Sequence, residues 1–368
     1  MRDPHIESMI AELGRQFSGA PLSPDTQGLF FKARQEVIYC WLADEKSAAC
    51  PAGFRRAFQT AEARQREQKG GIKQLFEQLE REDIPFVPIK GVDLAFRVYP
   101  SPELRIFGDW DIWVRKADLK HFIAVLERDG WRCPLDSYGD HHCGMRLKGA
   151  FHLEPHFNLP NFSGVRAEEL WELTEAVPGK KAERRLSDNL NLIMLLRHGI
   201  GCHGQWSDPL KLLLDFEFLL RRGGVDWQRV SELVKRWHVA HPGLLIAAFP
   251  EFFRGRYDPG KRFSGEQISA LRELLLDPQD WSAELGVMKA RTANPLRRGW
   301  IRTQLARFRR DNMRLKHPEI GRSNVRYLAY LVRDVLRKIG FFCAGYLHPG
   351  KSVNEQLKKE SLIDSSWR

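Results

Sequence analysis

The sequence predicts an α+β fold: one small mixed sheet, with helices before it and a helical domain after it. Three observations predict this. Residues 1–83 carry apolar side chains at helical spacing. Residues 84–160 switch to short apolar or aromatic runs punctuated by Gly and Pro, with amphipathic stretches between them. After Asn161 the helical spacing returns. The matching division is an N-terminal helical region at 1–69, a mixed α/β core at 70–160, a helical domain with a basic C-terminal part at 161–340, and a tail at 341–368.

QGLFFKARQEVIYCWLADE and FRRAFQTAEARQREQKGGIKQLFEQLERED supply the first helical periodicities, and Gly70-Gly71 is expected to break or kink the second. IPFVPIKG is short and apolar and ends in Gly, so it reads as a strand. VDLAFRVYP reads as a short helix stopped by Pro100, and FGDWDIWV as a second strand. KADLKHFIAVLERDG is an amphipathic helix with Asp118 near its N-cap and Gly130 as its stop. WRCPL, GMRLKG and AFHLEPHFNL are further strands. LSDNLNLIMLLRHGI starts with Ser187 as N-cap, DPLKLLLDFEFLLRRGG closes on Gly223-Gly224, and DWQRVSELVKRWHV is a third helix of this half.

The composition, 43% hydrophobic and 29% charged over 368 residues, is that of a globular chain and excludes a disordered one. No run of 18 apolar residues occurs, so no transmembrane helix is expected. The N-terminus has no leader-like apolar run, and six Cys without CxxC spacing read as free thiols, so a cytoplasmic location is expected. Of the formal charge of +11, residues 297–338 carry +10, from 13 Lys/Arg against three acids. That concentration points to an anionic partner, either nucleic acid or a membrane surface with peripheral attachment. Trp300, Phe308, Tyr327 and Tyr330 interleave with the arginines there. The plainer alternative is a solvated face of a packed helix.

The central chemical signal is Asp109 and Asp111, one residue apart in an apolar strand. Side chains two apart share a strand face, so both carboxylates point one way and Trp110 the other. Two like charges at the entrance to a core need solvent or a cation. Oxygen donors of this kind suit Mg²⁺ or Mn²⁺. Glu154, in AFHLEPHFNL, is the third acid that would complete a site for two ions. Lys90-Gly91 ends the preceding strand; Gly lets backbone approach a ligand, and Lys90 can meet a triphosphate as a point charge. Arg105 is a further phosphate candidate, with a surface loop charge as its alternative.

These residues resemble a family. Lys90-Gly91, Tyr99-Pro100, Arg105, Gly108-Asp109-Trp110-Asp111-Ile112 and Glu154-Pro155-His156-Phe157 look like the bacterial uncharacterised nucleotidyltransferases, within the superfamily that has a polymerase-β-like palm. His198, His203, Trp206 and Asp215 fall where the family's helical half places His, His, Trp and Asp. The resemblance covers about residues 70–240. It departs in reading D-W-D-I-W-V where D-I-D-L-L-V is commoner, and in placing Lys90 where the wider superfamily's turn has Gly.

The resemblance implies a nucleotidyltransferase-like palm and a Mg²⁺-dependent (or Mn²⁺-dependent) transfer of a nucleoside monophosphate from an NTP to a hydroxyl acceptor. Asp109, Asp111 and Glu154 would be the metal-holding and catalytic residues. Lys90, Gly91, Arg105, His156, His198 and His203 would contact the nucleotide or orient the site. An alternative is an accessory protein that keeps the palm without turnover.

Three other constellations have plainer readings. Cys133 with His141-His142-Cys143 lacks zinc spacing and reads as a polar loop. His152 and His156 are weak metal ligands or orienting partners of Glu154, with His156 favoured as an orienting group. His198 and His203 flank a Gly-rich turn that either lines the cleft or caps a helix. Asp215, in the apolar LKLLLDFEFLL, is expected to pair with an Arg or His.

Overall fold

The computed structural model describes residues 6–18, 52–133, 143–147, 151–159, 162, 165–201 and 209–276, with isolated positions near the C-terminus. Its order is α1 (Ile6–Phe17), α2 (Ala52–Arg81), β1 (Phe86–Pro88), α3 (Lys90–Asp93) continuing into a π-turn at Leu94–Val98, β2 (Trp110–Val114), α4 (Leu119–Arg128), β3 (Trp131–Arg132), β4 (Met145–Leu147) and β5 (His152–His156). Then come α5 (Ala167–Glu172), β6 (Thr174–Ala176), β7 (Arg184–Leu186), α6 (Asp188–Gly201), α7 (Pro209–Arg221), α8 (Trp227–Trp237), α9 (Gly243–Ala248), α10 (Pro250–Phe253) and α11 (Gly265–Leu276). The fold is α+β, as the sequence predicts.

The main sheet has the order β1-β2-β5-β4-β3. It is mixed: β2 and β5 run parallel, and the other neighbours are antiparallel. Strand alternation gives it two unlike faces. Phe86, Trp110, Ile112, Val114 and Leu153 join Ile72, Leu75 and Leu79 of α2 and Phe122, Val125 and Leu126 of α4 in one apolar core. Val87, Ile89 and Trp113 belong to a second core built with α6, α7 and α8. Asp111 lies between Trp110 and Ile112, so it shares the second face with Trp113. The carboxylate therefore looks towards the side occupied by the helical half.

Gly70-Gly71 does not break α2, which runs unbroken from Ala52 to Arg81. The glycine serves packing instead. A Cβ on Gly71 would meet Trp110 Cη2 at 2.5 Å and Phe151 Cε2 at 3.1 Å, so its absence lets the indole lie on the helix. Gln68, one turn back, accepts the Trp110 indole N–H.

The helical half contains an element the sequence did not signal, the β6–β7 hairpin. Arg184 ties it together by donating to the Thr174 hydroxyl at 2.6 Å and the Thr174 carbonyl at 2.7 Å. Helix α6 starts as expected, with Ser187 Oγ accepting from Leu190 N at 3.3 Å. It then continues through Gly199 to Gly201, so His198 lies within the helix and not on a flexible turn. Helix α7 is buried along most of its surface, which places Asp215 and Glu217 inside apolar packing.

The two halves are joined by buried charge. Arg97 donates to both Asp93 oxygens at 2.7 Å and to Asp188 Oδ1 at 2.8 Å. Asn191 Nδ2 donates to Asp93 Oδ2 at 2.7 Å. This network fixes the first helix after the Lys90-Gly91 turn against the N-terminus of α6. Sequence reading left it unmentioned, although Asp93 and Arg97 stand at the i,i+4 spacing that favours such a pair.

Candidate metal and nucleotide site

Three stretches of chain converge on one carboxylate. In the β2–β5 register Asp111 sits opposite Glu154 and Trp113 opposite His156. Along β5, Leu153 packs in the sheet core, so alternation places His152, Glu154 and His156 together on the other face, beside Asp111. Asp111 and His156 are fully buried, while Glu154 and His152 are partly open. One ligand atom from each of Asp111, Glu154 and His156 lies within 4.8 Å of the others.

Asp111 Oδ1 is contacted twice. Lys90 Nζ donates to it at 2.7 Å, and His156 Nε2 lies 2.7 Å away. Burial alone pushes the Asp111 carboxyl up, but the Lys90 charge and the His156 contact outweigh it and hold the group far below the usual carboxylate range. For Lys90, burial pulls the ammonium down. Asp111, then Glu154 and Asp109, reverse that and leave it above its ordinary value. Glu154 goes the other way: burial and the charges of Asp111 and Asp109 push it up to about 7, with Lys90 only partly opposing. The site thus joins an acid that its cationic partner favours in the ionised form to one that burial and like charge favour in the protonated form.

Asp109 lies just before β2 and is partly buried. It is not one of the three clustered donors, but its charge helps to raise the pKa of both Glu154 and Lys90. Of the three expected acids, Asp111 and Glu154 cluster with His156, and Asp109 is not in that group. The donor set of two clustered carboxylates and an imidazole fits a divalent ion.

The Lys90-Gly91 turn is built differently from its sequence reading. The strained residue is Lys90, at φ 52°, where an L side chain is rarely found. Gly91 is buried, and a Cβ there would strike Phe107 Cβ at 2.6 Å. Its smallness admits Phe107, where sequence reasoning had assigned it a close approach to a ligand. Lys90 takes the left-handed conformation and reaches Asp111, a partnership whose acceptor no local pattern in the sequence signals. The available signal was a single Lys in an apolar run, which requires a carboxylate partner.

Arg105 requires a correction. It is buried, and its guanidinium grips Asp215 with Nε–Oδ1 at 2.6 Å and Nη2–Oδ2 at 2.9 Å. Tyr99 Oη donates to Asp215 Oδ1 at 2.7 Å. The expected partner of Asp215 is thus Arg105 itself, and an Arg spent on a buried bidentate pair is a structural anchor, not a phosphate clamp. His198 is partly buried in the last turn of α6, outside the three-residue cluster. His203, Trp206, His141 and His142 lie outside the described residues, as does nearly all of the basic stretch 297–338.

No helix among the described residues is long and apolar enough to cross a membrane. Comparison with curated proteins and with solved structures gives no match. The family comparison does. Residues 36–253, more than half of the chain, match the family described as uncharacterised nucleotidyltransferase. The chain belongs to that family.

Proposed function

We propose that the protein transfers a nucleoside monophosphate from an NTP to a hydroxyl acceptor. The observation that carries this is the register pairing of Asp111 with Glu154 across two parallel strands. A divalent ion such as Mg²⁺ or Mn²⁺, held by Asp109, Asp111 and Glu154, would neutralise the triphosphate and acidify the acceptor hydroxyl. Lys90 supplies a positive charge to the phosphates once Asp111 has another partner. Glu154, beside the ion, would help to deprotonate the acceptor hydroxyl. The acceptor oxygen bonds to the α-phosphorus, the α–β phosphoanhydride breaks, and pyrophosphate leaves. His156 holds Asp111 in place, and Gly91 lets the turn pack. His198 and His203 are proposed to face the nucleotide from the helical half. The basic stretch 297–338 is proposed to bring the protein to an anionic surface in the cytoplasm, a membrane face ahead of nucleic acid.

One observation favours a second reading, an accessory protein without turnover. Lys90 already neutralises Asp111 at 2.7 Å, so the carboxylate is stable without an ion. A thermal-shift screen of the four NTPs with Mg²⁺ or Mn²⁺ separates the two. Stabilisation by an NTP only when an ion is present, lost in Asp109→Ala, supports transfer. Absence of any nucleotide or ion effect supports the accessory reading.

A further inference from the structure

The donor set at Asp111 is not made of oxygen alone. His156 is fully buried and fixed on a strand, with Nε2 at 2.7 Å from Asp111 Oδ1 and 3.9 Å from Glu154 Oε2. A ring that only oriented Asp111 would need contact with that residue alone. This nitrogen also has Glu154 Oε2 3.9 Å away, and one donor atom from each of the three residues lies within 4.8 Å of the others. Mg²⁺ prefers an octahedron of oxygens and gives up its waters reluctantly. An imidazole nitrogen raises affinity for borderline first-row ions, and carboxylates keep Mn²⁺ within that group. Either ion must also displace the Lys90 ammonium from the same Asp111 oxygen.

Resting on the nucleotidyl-transfer reading but concerning only the ion, we propose that Asp111, Glu154 and His156 form a mixed oxygen–nitrogen site selective for Mn²⁺ over Mg²⁺, with His156 Nε2 as a ligand. His152 is the outer neighbour on the same face, with Nδ1 at 3.9 Å from Glu154 Oε1, and is partly open. It is the control for which histidine supplies the nitrogen.

The test is Mn²⁺ binding to the full chain without nucleotide, read by calorimetry and by the electron spin echo of the bound ion. The wild type is expected to bind Mn²⁺ at least about tenfold more tightly than Mg²⁺ and to show modulation from one imidazole nitrogen. His156→Gln should lose that modulation and weaken Mn²⁺ by about 10–100-fold, with Mg²⁺ little changed. His152→Gln should keep it. Circular dichroism and the melting temperature of each variant show whether it is folded. Because His156→Gln also loses a buried contact, the wild-type spectrum stands as an independent readout. An echo with no nitrogen modulation, its loss in His152→Gln instead, or equal Mg²⁺ and Mn²⁺ affinity would overturn the assignment. An oxygen-only ion with NTP-dependent pyrophosphate release sinks this inference and spares nucleotidyl transfer. A nitrogen-ligated Mn²⁺ with no nucleotide binding does the reverse.

Discussion

Lys90 Nζ and Asp111 Oδ1 stand 2.7 Å apart in a site where both side chains are largely withdrawn from water. The lysine reaches there from a left-handed backbone position. A strained residue and a buried charge are both costly, so each is kept by what it does for the other. In the metal-free protein the ammonium holds the place of a cation. In the proposed mechanism an ion that takes Asp111 would release the ammonium to the phosphates.

Lys90→Met separates those two roles. Removing one partner of a buried pair costs about 3–5 kcal/mol, so the metal-free variant should melt well below the wild type. Its Mn²⁺ affinity should rise several-fold, because no ammonium competes for Asp111, while NTP affinity falls. Melting curves with and without Mn²⁺, together with calorimetry, check all three. Unchanged metal affinity would show that Lys90 and the ion do not share Asp111.

Glu154→Gln should stabilise the metal-free protein while abolishing transfer. The wild-type carboxyl is raised in the folded state to about 7, from an ordinary value of 4.5, mainly by burial. A raised folded pKa gives stability that is complete below the unfolded value and lost as pH rises through the folded one. At pH 8 the ionised Glu154 therefore costs the fold up to about 3 kcal/mol, reduced by its partial exposure. The advantage of Glu154→Gln should be largest above pH 7 and vanish near pH 4.5. Denaturant titrations of both proteins across that range measure it.

Asp215→Ala should destabilise by about 3–5 kcal/mol, since Arg105 is left charged and buried. Replacing both partners with apolar residues, Arg105→Met with Asp215→Leu, should recover much of the loss. A chemical-denaturation series checks this. If Asp215→Ala abolished nucleotide binding in a protein of unchanged stability, Arg105 would belong to the phosphate site after all.

His241 makes an acid-sensitive joint. Its Nδ1 accepts from Gly243 N at 3.0 Å and its Nε2 lies 3.0 Å from Ser231 Oγ, so the ring is held neutral. Burial, then the Lys261 charge, lowers its pKa to about 4 from 6.5. The unfolded chain thus binds a proton that the folded one refuses, and stability falls as pH drops from 6.5 towards 4. His241→Gln should lose this slope, seen in melting temperatures between pH 7 and 4. The wild-type slope from Glu154 has the opposite sign, so each variant isolates its own group.

What could be read from the chain and what could not divide along physical lines. Alternation within a strand is local, so Asp111 opposite in facing to Trp110, and the match with Glu154, were legible. Arg105 was misread because its partner Asp215 is 110 positions away, and no local pattern connects them. Gly70-Gly71 was misread because a glycine pair normally weakens a helix, whereas here the contact of Gly71 with Trp110 decides. The β6–β7 hairpin was invisible because TEA and RRL are too short and polar to show a period. Lys90 was seen as a ligand group, but its left-handed backbone and its carboxylate partner are tertiary facts.

Asp111 and Glu154 are proposed to assemble an ion-dependent nucleotide site. Calorimetric titration of each non-hydrolysable NTP into the protein, with Mn²⁺ or Mg²⁺ and without either, tests it most directly. The account predicts micromolar to millimolar binding of at least one NTP only with an ion, lost in Asp111→Asn despite a folded protein. Binding that is indifferent to the ion and survives Asp111→Asn, or no binding of any NTP under any of these conditions, would contradict it.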